Sequence, residues 1–405
     1  MRLVNASAAR GEYFVQTVDY ETNRGKRYSI YFALPPWVRD PVSQDHAYVL
    51  GASIAFVLGE DYDQDLPVTE TTARNVSEAL DIWHQWHPYK RRVKLSAPTV
   101  PDPASRDEAE LNEACFFTAG IDSLFTAYKL GPAVTALSTV LHVDPYDQQK
   151  IREETFDVAE YFDFADRTGR VFIPVATNLM TVVPEYFDAW AYLSHGAGFS
   201  SIAHALSGEV KRIHISSSAP YYQLMPWGSH PETDKRFSSS SVEVNHFGAD
   251  WERWDKTVDL VTDSASLSVL NVCGKGKLPP PYANCSKCQK CTRSMMMMDL
   301  ARVNKDEATT FDWSYYDLTR IATLHLRSKN EFNSMHDVRN KAIELGRDDI
   351  VRTIDKMLKG AEKYLFLTNW EFYLRQRFKS VVWMKPTLRI MRGGVYRALG
   401  LRRSL

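Results

Sequence analysis

The feature that most limits the fold of this chain is an alternation of short apolar runs and longer helical segments after residue 111. Four runs have the length and composition of buried strands: 114–119, 135–144, 169–177 and 210–218. Segments with helical spacing of apolar residues lie between them: 124–131, 148–164 and 188–208. Strands that alternate with such helices predict βαβ units, and therefore an α/β fold with a parallel sheet covered by helices on both faces.

The two flanking regions have different patterns. Residues 1–110 predict an α+β domain, because alternating aromatic-rich runs at 12–20 and 26–34 form a hairpin pattern. Helical segments (46–60 and 71–87), a short strand (91–97) and a proline-rich, charged linker (97–110) complete it. Residues 301–405 predict a helical C-terminal region, with helices at 311–327, 335–346 and 348–378. We therefore predict three parts: 1–110, 111–300 and 301–405.

Charge and hydrophobic composition predict a cytoplasmic protein without a general attraction to nucleic acid or membranes. The formal net charge of −1 gives no global attraction to nucleic acid or membranes. The N-terminus lacks an apolar signal segment, and no run of about 18 apolar residues predicts a transmembrane helix, so we expect a cytoplasmic protein. The last 31 residues, from Arg375, hold nine Lys or Arg and no acidic residue. They form a solvated tail or contact RNA, acidic lipid or an acidic partner. The sequence leaves open whether the protein forms a homodimer.

The turn after the first predicted strand is the main functional candidate. Thr118, Ala119 and Gly120 are small, so backbone N–H groups there can approach an anion closely. Asp122 and Ser123 then begin a helix, whose N-terminus favours negative charge. Thr118 and Ser123 add hydroxyl donors, whereas Asp122 suits an N-cap or a Mg²⁺ ion held beside phosphates. A plain strand–turn–helix with Asp122 or Ser123 as N-cap is the alternative; the Walker A sequence is absent.

Four of the five cysteines lie close together in the sequence with the spacing C-x₁₁-C-x₂-C-x₂-C: Cys273, Cys285, Cys288 and Cys291. In a reducing compartment this clustering favours a metal over disulfides. Four thiolates suit a tetrahedral, structural Zn²⁺ site; an iron–sulfur cluster and four reduced, unliganded cysteines are the alternatives. Cys115 stands apart in the first predicted strand, where a small buried apolar role is expected.

The phosphate-loop candidate resembles the PP-loop of the N-type ATP pyrophosphatases, written S-G-G-x-D-S. Residues 118–123 read T-A-G-I-D-S and depart from it at two positions. Thr118 replaces a serine, and Ala119 replaces a glycine with a residue that tolerates positive φ less well. Both replacements are small residues, and the Cβ of Ala119 makes tight pyrophosphate binding less favourable than with glycine.

Later segments extend this resemblance in order. Residues 142–148, which contain Asp144, resemble the family's D-Y-G-Q strand end beside adenosine, and residues 227–237 resemble its G-Y-P-D-C-R-P-E-F segment. Arg253 and Lys256 match an Arg and a Lys three residues apart before a helix. With the four cysteines, the series is most similar to the 7-cyano-7-deazaguanine synthase family. The similarity covers roughly residues 111–300.

The resemblance implies an adenine nucleotide α-hydrolase-like (PP-loop) fold with ATP, Mg²⁺ and Zn²⁺ as cofactors. It implies that ATP is held by the loop residues and the next strand end: Thr118, Ala119, Gly120, Asp122, Ser123 and Asp144. Asp122, Arg253 and Lys256 would be catalytic, the two cations stabilising the departing pyrophosphate. The implied reaction adenylates a carboxylate or amide oxygen of a small-molecule or macromolecular acceptor, and ammonia or an amine then displaces AMP.

Two other functions stay open at the level of the sequence. The first is RNA modification, including thiolation, which the basic tail favours; tying up four of five thiols in a metal disfavours the sulfur chemistry. The second is a non-catalytic, zinc-stabilised nucleotide-binding module, which the altered positions Thr118 and Ala119 favour. Residues 216–218, at the end of the fourth predicted strand, are candidate substrate contacts or a plain loop.

Overall fold

The computed structural model describes residues 1–104, 112–142, 159–273, 282–324, 326 and 329–359. The chain forms two compact units. Unit 1 comprises Met1–Ser286 and Met297–Trp313, and unit 2 comprises Lys287–Met296 and Ser314–Leu405. No helix within the described ranges is both long and apolar enough to cross a membrane.

The strands of the described chain all belong to unit 1. They are β1 (Arg2–Arg10), β2 (Phe14–Glu21), β3 (Arg27–Leu34), β4 (Tyr62–Asp63), β5 (Val68–Thr69), β6 (Leu95–Ser96), β7 (Thr99–Val100), β8 (Asn112–Phe116), β9 (Ala136–Leu141), β10 (Val171–Thr177), β11 (Val210–Ser216) and β12 (Glu243–Phe247). Ten of them form one sheet in the order β12-β11-β8-β9-β10-β3-β2-β1-β4-β6, and β5 pairs with β7. The large sheet confirms the predicted α/β class.

The half of the sheet from β12 to β10 is parallel, as the alternating pattern predicts. Its order places β9 and β10 on one side of β8, and β11 and β12 on the other. This order is that of a Rossmann-like doubly wound sheet, with a topological switch point between β8 and β11. Ligands of such sheets bind outside the carboxyl ends of the strands at this point. The residues that follow β8 and β11 are therefore the first candidates for a ligand-binding site.

The other half of the sheet contains the predicted hairpin, since β2 and β3 pair antiparallel from Phe14↔Leu34 to Glu21↔Arg27. Strand β1 was not expected, because most of its side chains are polar or small and exposed. Strand β3 also pairs antiparallel with β10, through Ala33 and Phe32. The sheet therefore continues across the predicted boundary at residue 110, and both sides of that boundary belong to unit 1.

Helices cover this sheet. The described helices of unit 1 are α1 (Asp45–Leu58), α2 (Glu70–Trp86), α3 (Ile121–Leu130), α4 (described over 159–167), α5 (Leu179–Val182), α6 (Pro184–Ala189), α7 (His195–Ala205), α8 (Pro231–Asp234), α9 (Arg253–Leu260) and α10 (Ser264–Leu267). Helix α1 is buried along nearly its whole length. It shares the main hydrophobic core with α7 and the inner faces of both halves of the sheet.

The C-terminal part of the described chain is helical, with one correction to the prediction. Its helices are α11 (Gln289–Leu300), α12 (Leu318–Ile321), α13 (Lys329–Glu344) and α14 (described over 348–359). The predicted helix at 311–327 is wrong in extent: a 3₁₀ turn at Trp313–Tyr315 precedes the short α12. Asp317 caps α12 by accepting from the backbone N–H of Thr319 at 2.8 Å, which fixes the helix start there. The basic tail from Arg375 lies outside the described residues.

The buried His46 of α1 predicts a stability loss in acid. Burial first, and then nearby His204, lower the pKa of His46 to about 4, although Asp45 acts in the opposite direction. Between pH 6.5 and 4 the unfolded state takes up a proton that the folded state does not, so the free energy of unfolding decreases as the pH is lowered. The difference corresponds to about 3 kcal/mol. Urea unfolding at pH 7 and 4.5 should show this loss, reduced in His46→Gln but not in His336→Gln. An equal loss in His46→Gln would contradict it.

Candidate functional site

The candidate site lies at the carboxyl ends of β8 and β11, where the sheet order reverses. The chain leaves β8 at Phe116 and passes through Thr118, Ala119 and Gly120 before α3 begins at Ile121. From β11, the chain passes into the serine segment 216–218. Both connections therefore meet at the edge where doubly wound sheets bind their ligands.

The loop after β8 is held by its own serine. The Ser123 hydroxyl accepts from the Thr118 N–H at 3.2 Å and donates to the Gly120 carbonyl at 3.2 Å. Ala119 is buried and adopts φ of +51°, the left-handed conformation that usually requires glycine. Such a residue costs about 1–2 kcal/mol, so the surrounding contacts must impose this conformation. The loop thus has the backbone shape expected of a glycine at this position.

The N-terminus of α3 corrects one sequence expectation. Gly120, not Asp122 or Ser123, is the N-cap residue, and no described side chain caps it. The first backbone N–H groups of a ten-residue helix are left for another acceptor, which favours an anion. The Asp122 carboxylate is engaged elsewhere, so N-capping is not its role.

Asp122 lies between two cations contributed by α9. Arg253 Nη2 donates to Asp122 Oδ2 at 2.8 Å, and Lys256 Nζ donates to Asp122 Oδ1 at 3.3 Å. Lys256 Nζ also donates to the carbonyl of Ser217 at 2.7 Å. The two predicted cations are therefore brought to the predicted loop from more than 130 residues away. We call Asp122, Arg253 and Lys256 the ion triad.

Lys256 is an unusual member of this triad, because its residue exposure is only 1%. Burial lowers the pKa of Lys256, Asp122 raises it in part, and the neighbouring Arg253 lowers it further. Burying a lysine costs free energy unless partners compensate the charge. A buried lysine with a lowered pKa at this edge of the sheet is a functional candidate, and its burial rules out the role of a solvated surface cation.

Aromatic rings and a glycine shape the space around the Lys256 ammonium. Its Nζ lies 5.7 Å from the centroid of Phe125, and Phe125 contacts Trp251 edge-on. Gly248 has φ of +95°, and a Cβ there would lie 3.4 Å from Lys256 Nζ. The low-polarity walls strengthen any electrostatic contact that the ammonium makes.

The structure brings together most residues that the sequence identified. Seven of the predicted residues lie at this edge of the sheet: Thr118, Ala119, Gly120, Asp122, Ser123, Arg253 and Lys256. Asp144 lies outside the described residues. The serine segment contributes differently from expectation: Ser216 pairs its hydroxyl with Thr126 at 2.8 Å, and Ser217 contributes its carbonyl to Lys256. A backbone acceptor of this kind carries no sequence signal, so sequence reasoning missed it.

The four predicted metal ligands lie together in space. The sulfur atoms of Cys273, Cys285, Cys288 and Cys291 are all within 4.8 Å of one another. Zinc–sulfur bonds of about 2.3 Å in a tetrahedron put sulfurs about 3.8 Å apart, so these residues fit a metal such as zinc. Ser286 bends the chain between ligands with φ of +54°.

Cys115 takes no part in this cluster. It is fully buried in β8, and burial raises the pKa of its thiol to about 12. A thiol with such a pKa stays protonated at neutral pH, and the thiolate is the reactive form. The expectation of a buried, apolar role for Cys115 is therefore consistent with its position.

Backbone hydrogen bonds connect the metal-ligand segment to the phosphate-loop candidate. Asn271 donates its N–H to the Ala119 carbonyl at 2.8 Å, and its Oδ1 accepts from the Cys273 N–H at 3.2 Å. The buried Asn284 fixes the same segment by accepting from Val272 at 2.8 Å and donating to the Leu270 carbonyl at 2.7 Å. One backbone hydrogen bond thus links Ala119 to the segment that presents Cys273.

Comparison with known proteins adds no assignment. No protein-family model matches the chain. No curated protein matches it, and no solved structure matches it. The function of this site is therefore inferred from its own geometry and charges.

Proposed function

We propose that the chain is an ATP pyrophosphatase of the PP-loop type that forms a carbon–nitrogen bond. The observation that carries this proposal is the ion triad, with its buried Lys256, beside the uncapped N-terminus of α3. A buried ammonium, a guanidinium and free helix N–H groups together suit a triphosphate far better than a single phosphate. The left-handed Ala119 supports a retained loop over a degenerate one.

The residues divide the work by charge. The loop N–H groups and the Thr118 hydroxyl would hold the β- and γ-phosphates, and Ser123, whose hydroxyl donates to the Gly120 carbonyl, would reach them only by giving up that contact. Arg253 and Lys256 would stabilise the charge that develops on pyrophosphate as the bond to the α-phosphorus breaks. Mg²⁺ bound with ATP would spread the phosphate charge, and Asp122 would hold it after exchanging its present contacts with Arg253 and Lys256. Catalysis would then come from positioning and electrostatics.

The acceptor is proposed from the chemistry that remains. An acceptor carboxylate or amide oxygen attacks the α-phosphorus, pyrophosphate leaves, and an ammonia or amine nitrogen then displaces AMP from the activated carbon. Sulfur transfer is less well supported, because four of the five cysteines form the metal-ligand cluster and Cys115 is buried with a raised pKa. A structural metal would stabilise the segment that carries Cys273.

The proposal is tested by measuring ATP binding and pyrophosphate release in the presence of Mg²⁺. The wild-type protein is expected to bind ATP below millimolar concentration, and Asp122→Ala to lose pyrophosphate release. Asp163→Ala removes an exposed carboxylate from α4 and serves as the matched control, with release unchanged. Absence of ATP binding at millimolar concentration would exclude the proposal.

A further inference from the structure

A carboxylate–imidazole pair lies at the same edge of the sheet but outside the ion triad. His246 of β12 has Nδ1 at 2.8 Å from Asp234 Oδ2, at the end of α8. The carboxylate is completely buried and also accepts from the Ser229 hydroxyl at 2.5 Å and the His230 N–H at 3.2 Å. A carboxylate that accepts three hydrogen bonds is held in one orientation.

The hydrogen bond to Asp234 fixes the tautomer of His246. Because a carboxylate only accepts, Nδ1 of a neutral imidazole must carry the proton, and Nε2 then presents a lone pair. The side chain of His246 is only 5% exposed, and Nε2 is buried without a hydrogen-bond partner among the described residues. Buried polar atoms are almost always satisfied in proteins, so this lone pair is open to a hydrogen-bond donor on a ligand or a water.

His246 lies on the side of the sheet opposite to Phe247, which stacks near Phe125 of α3. It is two residues before Gly248, whose position adjoins the Lys256 ammonium. Two residues of extended chain span at most about 7 Å, so the backbones of His246 and Gly248 both lie at the carboxyl end of β12, the end that the ion triad also borders.

His195, at the start of α7, adds a second imidazole to the same surroundings. Its Nδ1 lies 2.9 Å from the Trp190 carbonyl, and burial lowers its pKa. Asp234 and His246 both influence its charge. The pair therefore sits in a buried, imidazole-rich environment that suits proton transfer better than the binding of another anion.

We propose that His246, positioned by Asp234, accepts the proton of the nitrogen nucleophile in the second half of the reaction; this rests on the proposed function. The lone pair of ammonia or an amine attacks the adenylated carbon, a C–N bond forms, and the C–O bond to AMP breaks. His246 Nε2 takes the proton that nitrogen loses, and AMP leaves with the bonding electron pair. Asp234 stabilises the resulting imidazolium, as a carboxylate does for a catalytic histidine.

The test uses the full chain with nitrogen-15-labelled histidine, followed by NMR at pH 8 without ATP. Nε2 of His246 is expected to show the shift of an unprotonated ring nitrogen. Ammonium chloride should move this resonance saturably, whereas potassium chloride at equal ionic strength should not. His230 is the internal control: its Nδ1 accepts from the Glu232 N–H at 3.1 Å, so its Nε2 carries the proton and should not respond.

Two results would overturn the proposal: a protonated Nε2 on His246, or an identical response to ammonium and potassium. Asp234→Asn should weaken the ammonium response at least tenfold, but the wild-type measurement decides the question even if this variant does not fold. Because ATP is absent, the outcome is separate from the ATP-binding test. A responsive His246 in a protein that binds no ATP would contradict the proposed function and leave the nitrogen site intact.

Discussion

Replacing Lys256 by methionine is expected to weaken the binding of inorganic pyrophosphate about 100-fold. The ammonium is buried against Phe125 and Gly248, where a charged contact is stronger than at the surface. Truncating one partner of a buried, hydrogen-bonded charge pair costs about 2–5 kcal/mol, and each 1.4 kcal/mol is about tenfold in affinity. Titration calorimetry of the full chain with pyrophosphate and Mg²⁺ measures this directly, without an acceptor.

The same change at Lys129 is the matched control. Lys129 lies on α3 with its Nζ 3.0 Å from Asp259, and its side chain is 38% exposed. Exposed ion pairs contribute about 0–1 kcal/mol, so Lys129→Met should change pyrophosphate affinity by less than about threefold. Equal effects of the two substitutions would mean that Lys256 acts only through net charge, and the role proposed for the ion triad would be wrong.

Lys256→Arg separates charge from shape. It keeps the positive charge, but a guanidinium is larger and planar, and Gly248 already lies against the ammonium. We expect this variant to recover less than a tenth of the wild-type affinity. Full recovery would show that only the charge matters at this position.

Local chemistry explains which parts of this fold were predictable. The hairpin of β2 and β3, the strand β8 and the helix α3 each have an apolar period or a turn that belongs to the segment itself. Strand β1 has few apolar residues, so its place is decided by pairing with β2 and not by its own pattern. The pairing of β3 with β10 joins residues more than 140 positions apart, and no local pattern encodes it.

The candidate site shows the same division. The residue types of the loop identified Asp122, and the family resemblance identified Arg253 and Lys256, but their mutual contacts follow from strand order and from the position of α9. The spacing of the cysteines predicted a cluster because ligand spacing is itself local. Asp234 lies in the segment 227–237 but was not singled out, and His246 lies in no recognisable motif, because their pairing depends on how α8 meets β12. Charges in local motifs are predictable, whereas long-range hydrogen bonds need the fold.

Replacing Cys285 by serine is expected to remove the metal and to lower the thermal unfolding midpoint by about 10 °C or more. Loss of one thiolate from a structural site removes several kcal/mol of folding free energy coupled to the metal, and about 1 kcal/mol corresponds to 2–4 °C in a domain of this size class. Elemental analysis and thermal unfolding measure the two effects. Cys115→Ala removes a cysteine outside the cluster and should keep one equivalent of metal.

Loss of the metal should also change the conformation of the phosphate-loop candidate, because Asn271 contacts both segments. This residue accepts from the Cys273 N–H and donates to the Ala119 carbonyl, so disorder at Cys273 releases a contact that holds Ala119 at φ of +51°. An unsupported alanine leaves that conformation, because it is unfavourable by about 1–2 kcal/mol. At temperatures where Cys285→Ser is still folded, its affinity for pyrophosphate should then be about tenfold lower than that of the wild type. Cys115→Ala should retain the wild-type affinity. If the metal-free variant binds pyrophosphate as tightly as the wild type, the loop keeps its shape without the metal. If elemental analysis finds iron in place of zinc, the identity of the ion changes but the expected coupling does not.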